Sequence, residues 1–351
     1  MGLKKKIIFG VIVAVIAVAV FGLIYIGNFN SALDENNHET VSVNIPSGSG
    51  TSQIGQALVD GGIISSVNQF KIWSRIKGYD SKYKAGTYTL SPSMDLQTIA
   101  DIIVGGKVTT VSFTIPEGYT IYQTAKKISD CGLGNYDTLV DEIQGRGFDD
   151  KYAFLKDAQD NSNHLEGFLF PNTYTVDKGM SEKQIINIML NQFYEDVYDL
   201  YNAKKQEGEL FAQKYSLNEI ITIASIIERE CKVDEERPLV ASVIYNRLDK
   251  GMPLQMCSTV QYVLGKQKEV LTNADTRIDS PYNTYKIVGL PPGPICSPGM
   301  AAVKAALSPA DTDYLYFVLS EKLDGTSNFS SSYSDFEKDK AAYWKAYNAA
   351  Q

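Results

Sequence analysis

An internal repeat constrains the fold of this chain more than any other feature. The segment "VSVNIPSGSGTSQIGQALVDGGII" begins at Val41, and "VSFTIPEGYTIYQTAKKISDCGLG" begins seventy residues later at Val111. In each copy the residues alternate as in a β-strand, turn at Pro-x-Gly and then continue at helical spacing to a glycine. The chain therefore carries the same strand-turn-helix unit twice. Two copies are too few for a solenoid, so they indicate two related modules or a duplicated docking element.

The segments around the repeat predict an α+β fold. Between the copies, "AGTYTLSPSMDLQTIADIIVGGKV" predicts a strand from Thr87 to Leu90 and a helix from about Asp95 to Gly105. Residues 41–110 then supply strand, helix, helix and strand, which is enough for a compact module. From Ser181 onward the spacing is helical, and a strand "DYLYFVLS" follows. The predicted helices run from Glu182 to about Lys205, from Leu217 to Cys231, from Pro238 to Leu248 and from Met300 to Leu307.

The amino terminus predicts a membrane anchor. Residues 7–26 form a stretch of twenty residues without charge, the length at which a helix crosses a hydrocarbon core of about 30 Å. The sequence after it offers a poor signal-peptide cleavage site around Ser31, which favours an uncleaved anchor. Three lysines at positions 4–6 precede the span. By the positive-inside rule, residues 1–6 are a cytoplasmic tail, residues 27–40 a polar linker, and residues 27–351 lie outside the cytoplasm.

Composition and charge exclude several classes of function. The chain has 351 residues, a hydrophobic fraction of 44% and a net charge of -8, so it is long enough for two domains and lacks the basic surface of a nucleic-acid-binding protein. Its two histidines, His38 and His164, leave little for histidine-dependent chemistry. The cysteines have no CxxC spacing, so neither a metal site nor a disulfide pairing is defined. They are Cys131, Cys231, Cys257 and Cys296.

The segment "LNEIITIASIIERE" places two carboxylates on a helix that is otherwise apolar. Its isoleucines occupy too many positions for one stripe, so protein should cover the helix on most sides. Buried charge is costly unless it is paired, so Glu228 and Glu230 each need a reason. The small residues Ala224 and Ser225 precede Glu228 by one turn and should leave room for a bulky ligand. Glu230 is instead expected to be a helix-end group or a salt-bridge partner, for example of Arg237 or Arg247, and ion pairing of both glutamates is the structural alternative.

Five ordered segments resemble the endolytic murein transglycosylase (YceG-like) family. They are "IPEGYT", "EGFLFPNTYTV", "ASIIERE", "LVASVIYNRLDKGMPLQMCSTVQYVLG" and "SPYNTYKIVGLPPGPICSPGMAAVKAALSPADTDYLYFV". The resemblance implies a membrane anchor, a LysM-like module over residues 41–110 and a catalytic domain over residues 111–351. It also implies cleavage of nascent peptidoglycan strands, with Glu228 as the catalytic residue. One departure is Ser327 in "DGTSNFS", where the family usually has a histidine.

A lytic transglycosylase, as the resemblance implies, needs one carboxyl group rather than the two of most glycosidases. Glu228 would protonate the glycosidic oxygen between MurNAc and GlcNAc and then accept the proton of the sugar 6-hydroxyl, closing a 1,6-anhydro ring. No metal or cofactor is expected. The expected partners are peptidoglycan strands, the membrane through residues 7–26, and cell-wall synthases of the penicillin-binding type.

Polar and aromatic residues of the same segments suit a sugar groove. The run from Tyr282 to Tyr285 alternates aromatic rings with hydrogen-bonding groups, as sugar rings and acetamido groups require, although Pro-Tyr-Asn-Thr is also good turn chemistry. These residues lie in a loop over 279–299 that contains five prolines, and long rigid loops are more often functional than idle. The predicted substrate-binding residues are Glu166, Asn246, Gln255, Ser258, Thr259, Tyr282, Asn283, Thr284 and Tyr285.

Two other functions stay open at this point. An inactive glycan-binding scaffold of the cell-wall synthesis machinery would keep the repeat modules without the chemistry. A Cys-His hydrolase would have to use His164, yet no cysteine lies in a recognisable nucleophile motif. The intact "ASIIERE" segment argues against the scaffold.

Overall fold

The computed structural model describes residues 30–106, 108–158 and 163–350. Helices and short strands alternate along these residues, which confirms the predicted α+β class. The chain forms two compact units. The first contains the described residues up to Ser112 together with Thr175–Met180, and the second contains Phe113–Tyr174 and the residues from Ser181 onward. The predicted span over residues 7–26 lies outside the described residues, and no helix within them is long and apolar enough to cross a bilayer.

The first unit packs helices against a two-stranded antiparallel sheet. Val41 pairs with Leu90 and Ile45 with Gly86, so the strand predicted from Thr87 to Leu90 is confirmed. Two of its helices have a side-chain N-cap. One cap is Ser66, which accepts a hydrogen bond from the Gln69 backbone N–H, and the other is Asp95. The elements are β1 (Val41–Ile45), α1 (Thr51–Asp60), α2 (Val67–Lys77), β2 (Gly86–Leu90) and α3 (Leu96–Gly105). The core is built from large buried side chains, among them Leu58, Phe70, Trp73 and Tyr88.

Residues 30–40 and 175–180 complete the first unit without adding to its core. Asn30 donates a hydrogen bond to the Asp95 carboxylate at 3.0 Å, so the described part of the predicted linker contacts the start of α3. In the segment Thr175–Met180, the Lys178 N–H donates to the Thr109 carbonyl at 2.9 Å. A Cβ built on Gly179 would overlap Thr87 and Asn44, which shows how closely this segment packs on the sheet.

Both copies of the repeat form the predicted strand-turn-helix unit. The first copy is β1 and α1, and the second is β3 (Thr110–Thr114) and α4 (Ile121–Asp130). Gly48 and Gly118 end the two Pro-x-Gly turns with φ of 82° and 78°, a left-handed conformation that glycine adopts without strain. The turns are therefore alike in backbone and differ at the residue between proline and glycine, Ser47 in one copy and Glu117 in the other.

The second unit is mostly helical. It contains α5 (Tyr136–Gln144), α6 (Glu182–Phe193), α7 (Asp199–Glu207), α8 (Leu210–Lys214), α9 (Leu217–Glu230), α10 (Arg237–Asp249), α11 (Cys257–Leu264), α12 (Met300–Leu307) and α13 (Tyr333–Ala350). The predicted helix from Glu182 to Lys205 is interrupted by a π-helical turn at Tyr194–Tyr198. A strand β4 (Thr173–Asp177) pairs with β3, and β5 (Tyr316–Leu319) pairs with β6 (Ser327–Ser330). Strand β5 is shorter than predicted, and neither β6 nor α13 was predicted.

Helix α9 lies at the centre of the second unit. Its isoleucines at positions 220, 221, 223, 226 and 227 are fully buried, which confirms that protein covers this helix on most sides. Helices α10, α11 and α12 pack against it. Ser216 caps its first turn by accepting a hydrogen bond from the Glu219 N–H. The last turn carries Glu228 and Glu230, so the packing of α9 fixes both carboxylates.

Candidate active site

Glu228 is held in a closed ion pair at the end of α9. Its side chain is 8% exposed, and its two oxygens accept hydrogen bonds from the two terminal nitrogens of Arg237 at 3.2 and 3.3 Å. The Gly299 backbone N–H donates to the Glu228 Oε2 at 3.0 Å. Arg237 also donates through Nε to the Asp234 carboxylate at 2.8 Å. The guanidinium therefore has a second carboxylate partner besides Glu228.

The space beside Glu228 differs from the prediction. Ala224 and Ser225 were expected to leave room for a ligand, but both are fully buried. The Ile295 N–H donates to the Ser225 hydroxyl at 3.0 Å, so the proline-rich loop occupies that space. Small side chains on α9 thus allow a close approach of the chain's own loop. The loop in turn delivers Gly299 to Glu228.

Glu230 has a different partner from the one predicted. Its carboxylate accepts a hydrogen bond from the Ser258 N–H at 2.8 Å, in the first turn of α11, and burial raises the pKa of Glu230. Of the two arginines expected to pair with it, Arg237 binds Glu228. Arg247 donates to the carbonyl oxygens of Leu315 and Leu254. The expected salt bridge of Glu230 to one of these arginines was wrong because residues two apart on a helix face different neighbours, and spacing alone does not say which neighbour is an arginine.

A polar cleft of about 460 Å³ lies next to the end of α9. Gly118 and Arg229 belong to its wall, and a Cβ built on Gly118 would lie 3.8 Å from the Glu228 Cγ. Glu228 is therefore a close neighbour of the cleft wall. The rings of Tyr262 and Tyr282 lie in the wall with their centroids 5.0 Å apart. None of the described residues lining the cleft carries a carboxylate, whereas Arg229 and Lys266 carry positive charge.

Two of the predicted substrate-binding residues, Ser258 and Tyr282, line the cleft. Three others, Thr259, Asn283 and Thr284, are fully buried behind it. The hydroxyls of Thr259 and Thr284 are 2.9 Å apart, and the Asn283 amide donates to the carbonyls of Thr276 and Ile278. These buried side chains hold the loops in place.

The remaining predicted residues make similar internal contacts. The Tyr285 hydroxyl is 3.1 Å from the Cys257 sulfur, and the Gln255 side chain accepts a hydrogen bond from Arg247 at 3.3 Å. Asn246 donates to the carbonyls of Thr312 and Tyr314 at 2.8 and 2.9 Å. Their roles toward a substrate stay predictions.

Glu166 is a fully buried carboxyl linked to the cleft through Tyr262. The Ile121 N–H donates to it at 3.1 Å and the Tyr262 hydroxyl donates at 3.2 Å. Burial raises the pKa of Glu166 to about 8, so it carries a proton at neutral pH. A neutral carboxyl at this position stabilises the wall of the cleft without placing a charge beneath it.

Sequence reasoning gave Glu117 no role in the site and named Arg237 as a partner of Glu230 rather than of Glu228. Glu117 lies in the turn between β3 and α4, and burial together with the charge of Glu228 raises its pKa. The repeat did offer a signal for Glu117, since the first copy has Ser47 at the same position of the same turn. The turn alone therefore does not explain a carboxylate there. For Arg237 no signal in the sequence indicated which glutamate it binds, because the pairing joins two helices and depends on their packing.

Three further features considered from the sequence are His164, the four cysteines and Ser327. His164 is buried with its Nε2 3.3 Å from the Asp149 carboxylate, and all four cysteines are free thiols. Ser327 donates its N–H to the Glu236 carboxylate at 3.0 Å. In the part of the chain that the structure describes, no group of three or more His, Cys, Asp or Glu side chains could hold a metal ion.

The fold and the site define an α+β protein whose buried, arginine-paired glutamate lies beside a polar cleft with paired tyrosines. The chain belongs to the YceG-like family, whose sequence profile matches residues 43–342. This confirms the family predicted from the sequence.

Three relatives illustrate the similarity. The endolytic murein transglycosylase of Bacillus subtilis (strain 168) is 36% identical over 330 residues, which is 90% of this chain and 88% of that protein. The protein of the same name from Streptococcus pneumoniae serotype 2 is 31% identical over 92% of this chain, which spans 62% of that protein's length. A crystal structure of a yceG-like protein from Listeria monocytogenes is 36% identical, with a TM-score of 0.56, and the match covers 86% of this chain and 99% of that one.

Proposed function

We propose that this chain is a membrane-anchored peptidoglycan lytic transglycosylase that cuts nascent strands internally between MurNAc and GlcNAc and leaves 1,6-anhydro-MurNAc ends. Such cuts would terminate strand elongation. The names of the relatives, endolytic murein transglycosylase, support the reaction class. The observation that carries the proposal is the position of Glu228, a nearly buried carboxyl beside a polar cleft.

Glu228 acts as acid and then as base. In its protonated form it gives a proton to the glycosidic oxygen, the bond from that oxygen to MurNAc C1 breaks, and the GlcNAc 4-hydroxyl leaves. The MurNAc 6-hydroxyl then attacks C1 and loses its proton to Glu228, which returns to its starting form. Asp234 can retain Arg237 while Glu228 is neutral, and Arg237 stabilises the carboxylate after the first step.

The cleft supplies the recognition of the substrate. Tyr262 and Tyr282 offer aromatic faces for sugar rings, and Ser258 offers a hydroxyl. Glu166, Asn246, Gln255, Thr259, Asn283, Thr284 and Tyr285 shape the loops around these groups. Arg229 and Lys266 suit the carboxylates of the peptide that murein carries, since a cleft lined by one sign of charge attracts the opposite sign.

The organisation of the chain follows the same proposal. Residues 7–26 anchor the protein in the cell membrane with residues 1–6 in the cytoplasm, and residues 27–40 link the anchor to the extracytoplasmic part. Residues 41–110 form a LysM-like module and residues 111–351 the catalytic domain. Cell-wall synthases of the penicillin-binding type are the proposed protein partners, because they synthesise the strands that this protein would cut.

Product analysis on purified glycan strands tests the reaction. Mass spectrometry of strands treated with the protein should show 1,6-anhydro-MurNAc ends at internal cut positions. Strands with new reducing ends would show that water replaces the 6-hydroxyl as nucleophile. Strands that bind the protein and stay intact would favour the inactive scaffold instead.

A further inference from the structure

Glu117 lies where two loops meet beside Glu228. The Gly118 N–H donates to the Ser297 carbonyl at 2.9 Å, and the Ser297 N–H donates to the Tyr119 carbonyl at 2.8 Å. These two hydrogen bonds hold the turn that contains Glu117 against the end of the proline-rich loop. The same loop supplies the Gly299 N–H that binds the Glu228 carboxylate.

Gly299 brings the two carboxylates together. Its φ is -76°, which any residue adopts, so the backbone does not require glycine here. A Cβ built on Gly299 would, however, overlap the Glu117 carboxylate. Glu117 thus packs against Gly299 on the carbon side, while Glu228 binds the nitrogen of the same residue.

The charges around Gly299 do not balance. Glu117, Glu228 and Asp234 are three carboxylates, and Arg237 pairs directly with the latter two. Arg229 donates to the Gly118 carbonyl from the cleft side. Two carboxylates close together disfavour each other's charged form, and although Glu117 is an exposed residue, partial burial of its carboxylate adds to this effect.

We propose that Glu117 is a positioning residue that acts through Glu228, its negative charge opposing the hold of Arg237 on the Glu228 carboxylate so that Glu228 can take up the proton that it must donate. This inference rests on the proposed function. The negative charge of Glu117 disfavours a second negative charge on Glu228, whereas Arg237 favours it. The charges of Glu117 and Arg237 therefore act on the acid step in opposite directions.

The repeat argues against a purely structural role for Glu117. The first copy forms the same Pro-x-Gly turn with Ser47, and Gly48 and Gly118 have nearly equal φ. The turn therefore needs no carboxylate to fold. The carboxylate is present in the copy that lies beside Glu228.

The test compares the pH–rate profiles of the wild type with Glu117→Gln, Glu117→Asp and Glu117→Ser on purified strands. Loss of the charge in the Gln and Ser variants should move the alkaline limb to lower pH, so that the rate falls across the wild-type limb with little change in KM. Glu117→Asp keeps the charge and should keep the wild-type limb. The Ser variant carries the residue of the first copy, so the turn should still fold, and melting temperatures confirm this.

Two results would overturn the inference. Folded Gln and Ser variants whose alkaline limb coincides with that of the wild type would show that Glu117 does not act through Glu228, while leaving the proposed function intact. A folded wild type without cleavage at any pH would overturn the proposed function, and the inference with it. A changed rate with an unchanged limb counts as the first result, since a structural role lowers activity at every pH.

Discussion

Glu228 and Glu230 lie two residues apart, but Glu228 pairs with an arginine and Glu230 binds a backbone N–H. The two residues therefore make a matched pair for mutation. Glu228→Gln keeps the size of the side chain but cannot exchange the proton, and general acid-base catalysis contributes about 10² to 10⁴-fold. Cleavage should be essentially lost. Stability should fall by on the order of 2 kcal/mol, because the buried Arg237 keeps Asp234 but loses its partner on α9.

Glu230→Gln is the matched control on the same helix. The amide oxygen of Gln can still accept the Ser258 N–H, so folding and measurable cleavage should remain. Anhydro ends and melting temperatures are measured for both variants side by side. The assignment of the acid would be wrong if Glu230→Gln were inactive and folded while Glu228→Gln still formed anhydro ends.

Glu166 should make stability depend on pH. Below pH 4.5, its ordinary pKa, the carboxyl is protonated in both folded and unfolded chains. As the pH rises, the unfolded chain ionises first, so the contribution of Glu166 to stability is lost progressively until the folded-state pKa of about 8. The total loss is on the order of 5 kcal/mol.

Glu166→Gln should remove this dependence, since an amide resembles the protonated carboxyl in shape and stays neutral. Denaturant unfolding between pH 5 and 8.5 measures it, and the variant should gain stability over the wild type as the pH rises. Glu39→Gln, at an exposed position, is the control that should follow the wild type. Parallel curves for wild type and Glu166→Gln would show that Glu166 is not neutral when folded.

At the scale of elements, the end of the proline-rich loop is predicted to depend on the absence of a side chain at Gly299. Gly299→Ala should displace the Glu117 carboxylate, and because this is the end of a flexible side chain on an exposed residue, the cost should be about 1 kcal/mol of stability or less, with a loss of cleavage. Gly105→Ala in α3 is the control, because its Cβ would meet nothing within 4 Å.

The double variant Gly299→Ala/Glu117→Ser separates crowding from backbone effects. Removing the Glu117 carboxylate should restore the stability lost in Gly299→Ala, which thermal unfolding measures. Equal instability of the single and double variants would mean that Glu117 is not what excludes a Cβ at position 299.

The elements that sequence periodicity predicted are those whose signal is local. Helix α9 and both strand-turn-helix units follow from apolar spacing, caps and glycines within about twenty residues. Long-range pairing was not predictable in this way. Arg237 could bind either glutamate of α9, Ser225 could face a ligand or a loop, and strand β6 is recognised only through its pairing with β5.

At the scale of the whole molecule, the chemistry is predicted to need none of the residues before 30. A truncated protein beginning at residue 30 should fold and cut strands in solution. It retains Asn30, which binds the Asp95 cap of α3, so it should be more stable than one beginning at residue 41. Thermal unfolding and product analysis of both proteins check this. A folded but inactive protein beginning at residue 30 would contradict it.

The return of Thr175–Met180 to the first unit has a consequence for synthesis. Domains usually fold in the order in which they leave the ribosome, at about 5–20 residues per second. Here the Lys178 N–H that binds Thr109 and the Gly179 that packs against Thr87 emerge only after Phe113–Tyr174, a segment of 62 residues that belongs to the second unit. The amino-terminal unit therefore cannot finish folding before part of its successor has been translated, and the nascent chain must complete both units in an overlapping order.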